Sequence, residues 1–161
     1  MTVSPQLDER FRAAAAAEGL LDIAYDVDPD AKLEQLARGF GTRVLQSSPP
    51  LDPVRRELDE YFDGKRRRFD LDVDLRLTRD FGRAVLTELA TVPFGEVTTY
   101  GALAARAGKP RAARAVGTIM NRNPIPIVLP CHRVVGANGS LVGYAGGLER
   151  KETLLKLEGA V

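Results

Sequence analysis

Two residue types with reactive side chains occur once each in this chain, and they are neighbours. Cys131 is the only cysteine and His132 the only histidine among 161 residues. Both lie in NRNPIPIVLPCHRVV, residues 121–135, behind Pro124, Pro126 and Pro130. Proline fixes φ and removes an amide donor, so this stretch cannot be a helix interior and is expected to run extended. A thiol beside an imidazole and a guanidinium, here Arg133, is a setting that favours a low-pKa thiolate and hence a nucleophile. A lone cysteine is more often a small buried apolar residue, and a lone histidine more often a structural one. Their juxtaposition behind a rigid lead-in favours chemistry instead. Neighbours in an extended segment point to opposite faces, so His132 is not expected to touch the sulfur directly. A bridging water or a local bend is needed. An acid to orient the imidazole must come from elsewhere, and Glu158 in the final helical stretch is the candidate.

Several other chemistries are excluded. One cysteine cannot close an internal disulfide. One Cys and one His cannot complete a typical structural zinc site, and no EF-hand or P-loop spacing is present. No metal and no cofactor is therefore expected. Apolar residues make up 44% and charged residues 28%, an ordinary globular balance. No apolar run approaches the roughly 18 residues that span a bilayer, so no membrane partner is expected. The N-terminus, MTVSPQLDER, lacks the basic-then-apolar order of a secretory signal. The expected compartment is the cytoplasm.

The net charge of +1 conceals an asymmetry. Residues 1–75 carry 11 Lys+Arg and 16 Asp+Glu, while residues 76–161 carry 12 and 6. Either the second half meets a polyanion, or the two surfaces merely differ. A domain boundary is expected near residue 75, where the sign changes.

The elements that must position the reactive pair are more regular in the second half. Thr78 can cap a helix to about Thr91, and Thr99 a second one, YGALAARAG, that stops at Gly108. A third helix is expected from Pro110, as RAARAVGTIMNR, and a last one over 147–158. Two short helices joined by a glycine-containing turn fit a helix-turn-helix. In the third helix Ala112, Ala113, Ala115 and Gly117 are small, while Arg111 and Arg114 are long cations. Such a face packs against a neighbouring helix, or it fits a nucleic-acid groove by shape and backbone rather than by reading base edges. GANGS at 136–140 is a turn, and GYAGG at 143–147 is a plain connector or one wall of a pocket for a flat ligand.

The first half carries fewer signals. Five alanines at 13–17 favour a helix by propensity, but Glu18-Gly19 and LLDIAY favour a β-hairpin. Residues 30–39 predict a short helix stopped by Gly39. Residues 52–64 predict a stronger one, with Asp52 as N-cap, Pro53 at N1, Gly64 as stop and Val54, Leu58, Tyr61 and Phe62 as its apolar stripe. KRRR at 65–68 reads as a solvated basic run, and the strict alternation of FDLDVDLRL at 69–77 predicts a strand.

Residues 92–159 strongly resemble the O6-alkylguanine-DNA alkyltransferases, also called methylated-DNA–protein-cysteine methyltransferases. RAVG at 114–117, NPIPIVLPCHRV at 123–134 and, within it, PCHRV at 130–134 carry the resemblance. The first half is similar only loosely, through GLLDIAYD and the helix at 52–64. The resemblance implies an α+β fold. A small ribonuclease-H-like sheet-plus-helix domain would span 1–75, and a mainly helical DNA-binding and alkyl-transfer domain 76–161. It also tips the alanine run toward the hairpin.

The activity implied is direct reversal of DNA damage. The Cys131 thiolate would take the alkyl group from O6-alkylguanine, or from O4-alkylthymine, and be consumed in one turnover. His132 would relay a proton through water, oriented by Glu158, and Asn123 would fix the site by hydrogen bonds. Tyr100 would donate to the base and crowd its phosphate, and Arg114 would fill the vacated stack. Met120, Pro130, Val134 and Tyr144 would line the pocket. Ala145 stands where many members carry a serine, leaving only a backbone N–H for the guanine oxygen. Thr99, Arg111, Ala112, Ala113, Ala115, Gly117 and Arg133 would meet the DNA, in its minor groove. The partner implied is double-stranded DNA with a flipped base, bound by a monomer that can assemble cooperatively on DNA. The zinc ligands that some members carry in the first domain are missing. Two other readings compete. One is a non-catalytic lesion-binding module, which Cys131 argues against. The other is a cysteine hydrolase using Cys131, His132 and Glu158, for which no acyl pocket is apparent.

Overall fold

The computed structural model describes residues 11–16, 19–25, 28–40, 51–76 and 78–161. The MTVSPQLDER segment, and Leu77 at the end of the expected strand, lie outside them. The chain divides into two compact units, Met1–Leu77 and Thr78–Val161. The described residues form a mixed α+β structure.

In the first unit, β1 (Phe11–Ala16) pairs antiparallel with β2 (Gly19–Tyr25), with a register shift between Ala14 and Ala15. Ala13–Ala16 of the alanine run thus lie in a strand. Helix propensity is a weak prior that pairing overrides. Helix α1 (Pro29–Phe40) continues through Gly39, which does not stop it. Helix α2 (Asp52–Phe62) has Leu51 at its N-cap, so Asp52 is a first-turn residue and not the cap. Gly64, at φ +73°, follows its end. Val54, Leu58, Tyr61 and Phe62 are all buried, and Phe69 packs on Tyr61 with ring centroids 5.4 Å apart.

Among the described residues, the strand expected over 69–77 is reduced to a bridge at Val73. Two of its backbone amides, those of Asp70 and Arg76, are taken by side chains. Buried Glu57 accepts from the Asp70 amide at 2.8 Å, and Asp74 accepts from the amide and the Nε of Arg76. Arg66 of the basic run turns back onto Glu57 and Glu60 rather than into solvent.

In the second unit, α3 (Asp80–Leu89) buries Val85, Leu86 and Leu89. Its N-cap is Arg79, not Thr78, whose carbonyl accepts from Arg83 Nε. β3 (Thr98–Thr99) leads into α4 (Tyr100–Arg106). The Thr99 hydroxyl accepts from the Ala102 amide at 3.1 Å, as its position before the helix predicts. Helix α5 (Ala113–Asn121) starts three residues later than Pro110 suggests. The Ala112 amide donates to the Lys109 carbonyl, so Lys109–Ala112 is a turn and Arg111 and Ala112 precede the helix. Helices α3, α4 and α5 pack on one another around Leu86, Leu89, Leu103 and Val116. β4 (Val134–Val135) pairs parallel with β3, Thr98 facing Val134 and Thr99 facing Val135. This short ladder fixes the segment after Cys131 beside the start of α4. Helix α6 (Leu148–Glu158) closes the unit and buries Lys151, Leu154, Leu155 and Glu158.

Thr99→Ala removes the one side-chain cap of α4. The expected cost is about 1 kcal/mol, with Thr99→Ser restoring most of it. The urea unfolding midpoint of the full chain checks this.

Candidate functional site

The proline-rich lead-in bends rather than running extended. The Leu129 amide donates to the Ile125 carbonyl at 2.9 Å around buried Ile127, which has φ +74°. A β-branched residue there is strained, so the surroundings must hold it. Asn123 supplies part of that hold. Its Nδ2 donates to the Leu129 carbonyl at 2.8 Å, and its Oδ1 accepts from the Ile125 amide at 3.0 Å. Cys131–Arg133 then form one 3₁₀ turn, all three side chains buried. Successive side chains of such a turn project roughly 120° apart. The expectation that Cys131 and His132 lie on opposite faces of a strand is therefore corrected.

The turn is tied to the end of α6 through one carboxylate. Glu158 Oε1 lies 2.8 Å from His132 Nε2 and accepts from Arg133 Nη2 at 2.8 Å. Its Oε2 accepts from Arg133 Nε at 2.8 Å and from the Gly95 amide at 3.3 Å. Arg133 Nη1 also donates to the Val92 carbonyl at 2.6 Å. A carboxylate at Nε2 selects the tautomer with the proton there. His132 Nδ1 is then the basic nitrogen. It is buried and has no hydrogen-bond partner among the described residues. Burial holds the His132 pKa below its ordinary value, against the raising effect of Glu158.

The low-pKa thiolate expected from sequence is also corrected. Burial pushes the Cys131 thiol up to about 11, although an Asn123 hydrogen bond and the Lys151 charge pull it down. The guanidinium expected to stabilise the sulfur is committed to Glu158. For the same reason Arg133, buried in this clamp, is corrected as a DNA-contacting side chain.

Lys151 was missed from sequence. It is fully buried, and its Nζ donates to the carbonyls of Val134, Val142 and Gly143. It also lies 5.9 Å from the centroid of the Tyr100 ring. Burial lowers its pKa, opposed by the nearby Cys131 sulfur. A signal was present, because Lys151 shares the spacing of Leu154, Leu155 and Glu158 on the inward face of α6.

The Tyr100 hydroxyl donates to the carbonyls of Val142 and Gly143, at 2.9 and 3.2 Å, which places the GYAGG loop over the tyrosine. Met120, Pro130 and Val134 are buried, Tyr144 is half-buried and Ala145 is exposed. On α5 and the turn before it, Arg111, Arg114 and Ala115 are exposed, while Ala112, Ala113 and Gly117 are half-buried. Thr99 is half-buried and committed to its cap. The Arg114 guanidinium makes no hydrogen bond or ion pair with a described residue.

Because the folded thiol is held at about 11, its reaction with iodoacetamide should keep rising to that pH. In the denatured chain the same rise should centre near about 8.5. A folded profile already flat at pH 7 would show a stabilised thiolate.

Residues 80–160 match the family described as 6-O-methylguanine DNA methyltransferase, DNA binding domain. The methylated-DNA–protein-cysteine methyltransferase of Methanosarcina acetivorans is 51% identical over 105 residues, 65% of this chain and 67% of that protein. That of Mycobacterium leprae is 52% identical over 102 residues, 63% of this chain and 61% of that protein. Among solved structures, Mycobacterium tuberculosis OGT in complex with DNA is similar, with a TM-score of 0.80 and 36% identity. That likeness covers 93% of this chain and 86% of that one. The O6-methylguanine-DNA methyltransferase of Pyrococcus kodakaraensis superposes with a TM-score of 0.62 at 28% identity, over 92% and 98% of the two chains. With its sole thiol and imidazole in one buried turn anchored by Glu158, this chain belongs to the O6-methylguanine-DNA methyltransferase family.

Proposed function

We propose that this protein repairs DNA by direct reversal, taking the alkyl group of O6-alkylguanine, or of O4-alkylthymine, onto Cys131 in a single irreversible turnover. The observation that carries the reading is the buried turn itself. It joins the sole thiol to an imidazole whose far nitrogen is held by Glu158. Family membership and the named methyltransferase relatives support it.

The thiol starts protonated. Its proton passes through a bridging water to His132 Nδ1 while Glu158 holds the ring in place at Nε2. Sulfur attacks the alkyl carbon in line, the S–C bond forms and the O–C bond breaks. The electron pair returns to guanine O6, and the Tyr100 hydroxyl turns from the Val142 and Gly143 carbonyls to hydrogen-bond the base as charge develops. The guanine anion takes its proton from water, while the imidazolium returns its own to solvent. A thioether has no easy hydrolytic exit, so the protein is consumed. Asn123 and the strained Ile127 turn hold the sulfur in place. Met120, Pro130, Val134 and Tyr144 line the base pocket, and at Ala145 only a backbone N–H is offered to O6.

Chemistry on a stacked base requires its extrusion. Helices α4 and α5 act as a helix-turn-helix, with Ala113, Ala115 and Gly117 letting α5 approach the minor groove. Thr99, Arg111 and Ala112 flank that contact, and Arg114 enters the gap that the flipped nucleotide leaves. The +6 balance of residues 76–161 suits a phosphate backbone. The first unit, whose described residues form a hairpin and two helices, serves as a ribonuclease-H-like companion domain. The protein acts as a monomer in the cytoplasm and can assemble cooperatively on DNA.

Incubation with a duplex containing O6-methylguanine should leave one methyl group on Cys131, read by mass spectrometry, and repair should plateau at one lesion per molecule. Cys131→Ser should abolish transfer and retain DNA binding. Steady turnover past that plateau would instead indicate a hydrolase, and an unmodified Cys131 a lesion-binding module. Arg114→Ala should slow repair of duplex DNA far more than reaction with free O6-benzylguanine. The free base needs no flipping and owes nothing to an unstacking cost of a few kcal/mol. Equal losses on both substrates would make Arg114 a pocket or folding residue.

A further inference from the structure

We propose that Arg133 is a positioning residue whose two-pronged grip on Glu158 consumes that carboxylate's charge and so keeps the His132 imidazole neutral, with Nδ1 available as a base. The proposal rests on the reading of His132 as the acceptor of the Cys131 proton, and adds what sets its charge.

The geometry carries it. Glu158 Oε1 is shared, accepting from Arg133 Nη2 and facing His132 Nε2, both at 2.8 Å. Glu158 Oε2 takes Arg133 Nε at 2.8 Å. Fork-to-fork pairing is the strongest form of this interaction, and the guanidinium stays charged at every accessible pH. The Glu158 side chain is 0% exposed, and those of Arg133 and His132 are 7% and 0% exposed. Net charge is costly in such surroundings. With Arg133 present, cation and carboxylate cancel and the imidazole has nothing left to neutralise. Without Arg133, one buried negative charge remains, and a proton taken up by His132 cancels it. A carboxylate facing an imidazole favours the imidazolium; burial opposes it first, and the Arg133 charge adds to burial's side of that balance.

The other groups facing His132 act in the same direction or are neutral. Lys151, from the same helix as Glu158, adds a second cation that opposes imidazolium, and Cys131, from the same turn, is a protonated thiol. The direction of the His132 shift, downward, agrees. Arg133 also donates to the Val92 carbonyl, and its guanidinium carbon lies 5.9 Å from the centre of the Phe94 ring, so its position is fixed independently of Glu158.

The sole histidine gives a direct readout. With ring-labelled histidine the full chain yields one imidazole spectrum, free of overlap and needing no DNA. In the native sequence the ring should be the Nε2–H tautomer and protonate only below its ordinary range. In Arg133→Met the titration should move up by about one unit or more. In Arg133→Lys, which keeps the charge and loses the fork, it should stay near the native position. The acid limb of the alkyl-transfer rate should move up with the histidine in Arg133→Met. An unmoved titration in an Arg133→Met protein with a native-like spectrum would overturn the proposal. So would equal shifts in the two variants, since lost packing would then be the cause. Should Arg133→Met fail to fold, the native titration decides. A ring already protonated at neutral pH means that Glu158 retains charge for it, and sinks the idea. Absence of alkyl on Cys131 would refute the repair reading and leave these titrations unaffected, so the two failures are distinct.

Discussion

A carboxylate buried in the last turn of a helix is doubly disfavoured. The helix dipole opposes it there by about 0.3–1 kcal/mol, and desolvation costs several kcal/mol more. Glu158 occupies such a place at the end of α6 and is tolerated because donors surround it: the Arg133 fork, the His132 ring and the Gly95 amide. These come from two separate stretches of chain, the Cys131–Arg133 turn and the segment at Gly95, and the carboxylate's need for both brings them to the end of α6. Gly95 shows how closely. It has φ +79°, and a Cβ there would lie 3.1 Å from the Glu158 carbonyl oxygen. The chemistry at Cys131 thus depends on a bond network whose first task is to solvate one ion.

The same helix carries a second buried ion, of opposite sign, two turns earlier. Lys151 grips the carbonyls of Val134, Val142 and Gly143, so it anchors both β4 and the glycine-rich loop. Tyr100 binds two of these carbonyls from the other side. Helix α6 therefore clamps the reactive turn at both flanks, through Glu158 onto His132 and Arg133, and through Lys151 onto the strand that follows. Removing Glu158 would leave the Arg133 charge buried and unpaired, at a cost of about 3–5 kcal/mol, and removing Lys151 would leave three carbonyls without their donor. The site is fixed by ions rather than by apolar packing alone, and it remains polar where a base must be recognised.

Much of this was legible in sequence, for identifiable reasons. The single Cys and His side by side pointed to the site, and the Thr99 cap marked the start of α4, because local chemistry decides both. The stripe Val54–Leu58–Tyr61–Phe62 gave the buried face of α2 by periodicity. Failures came where distant partners decide. The alternation of residues 69–77 reads as a strand, but Glu57 claims the Asp70 amide from 13 positions away. Arg133 reads as a surface cation or a thiolate stabiliser until Glu158 is folded against it. Lys151 reads as solvent-facing because lysine almost always is. Pro110 suggests a helix start, whereas the chain spends residues 109–112 on a turn. The thiol's pKa was misjudged for the same reason, since burial is a property of the fold.

That misjudged pKa alters what kind of nucleophile this is. Many reactive cysteines are kept as thiolates, ready to attack at any time and equally ready to be oxidised. Cys131 is nearly inaccessible, at 5% exposure, with a thiol held at about 11. A residue used once gains from being inert between encounters. The cost is that the proton must leave during the reaction, which demands a neutral base nearby. In the reading proposed above His132, with Nδ1 unoccupied by any described residue, is that base. There is also a compensation. Nucleophilicity rises with basicity, with a Brønsted slope of about 0.4–0.5, so a thiolate generated from a high-pKa thiol is the stronger attacker once formed. On that reading burial, which disfavours the resting anion, and the Arg133–Glu158–His132 array, which would supply the base, act together: one keeps the sulfur silent and the other would release it when an alkyl carbon is in place.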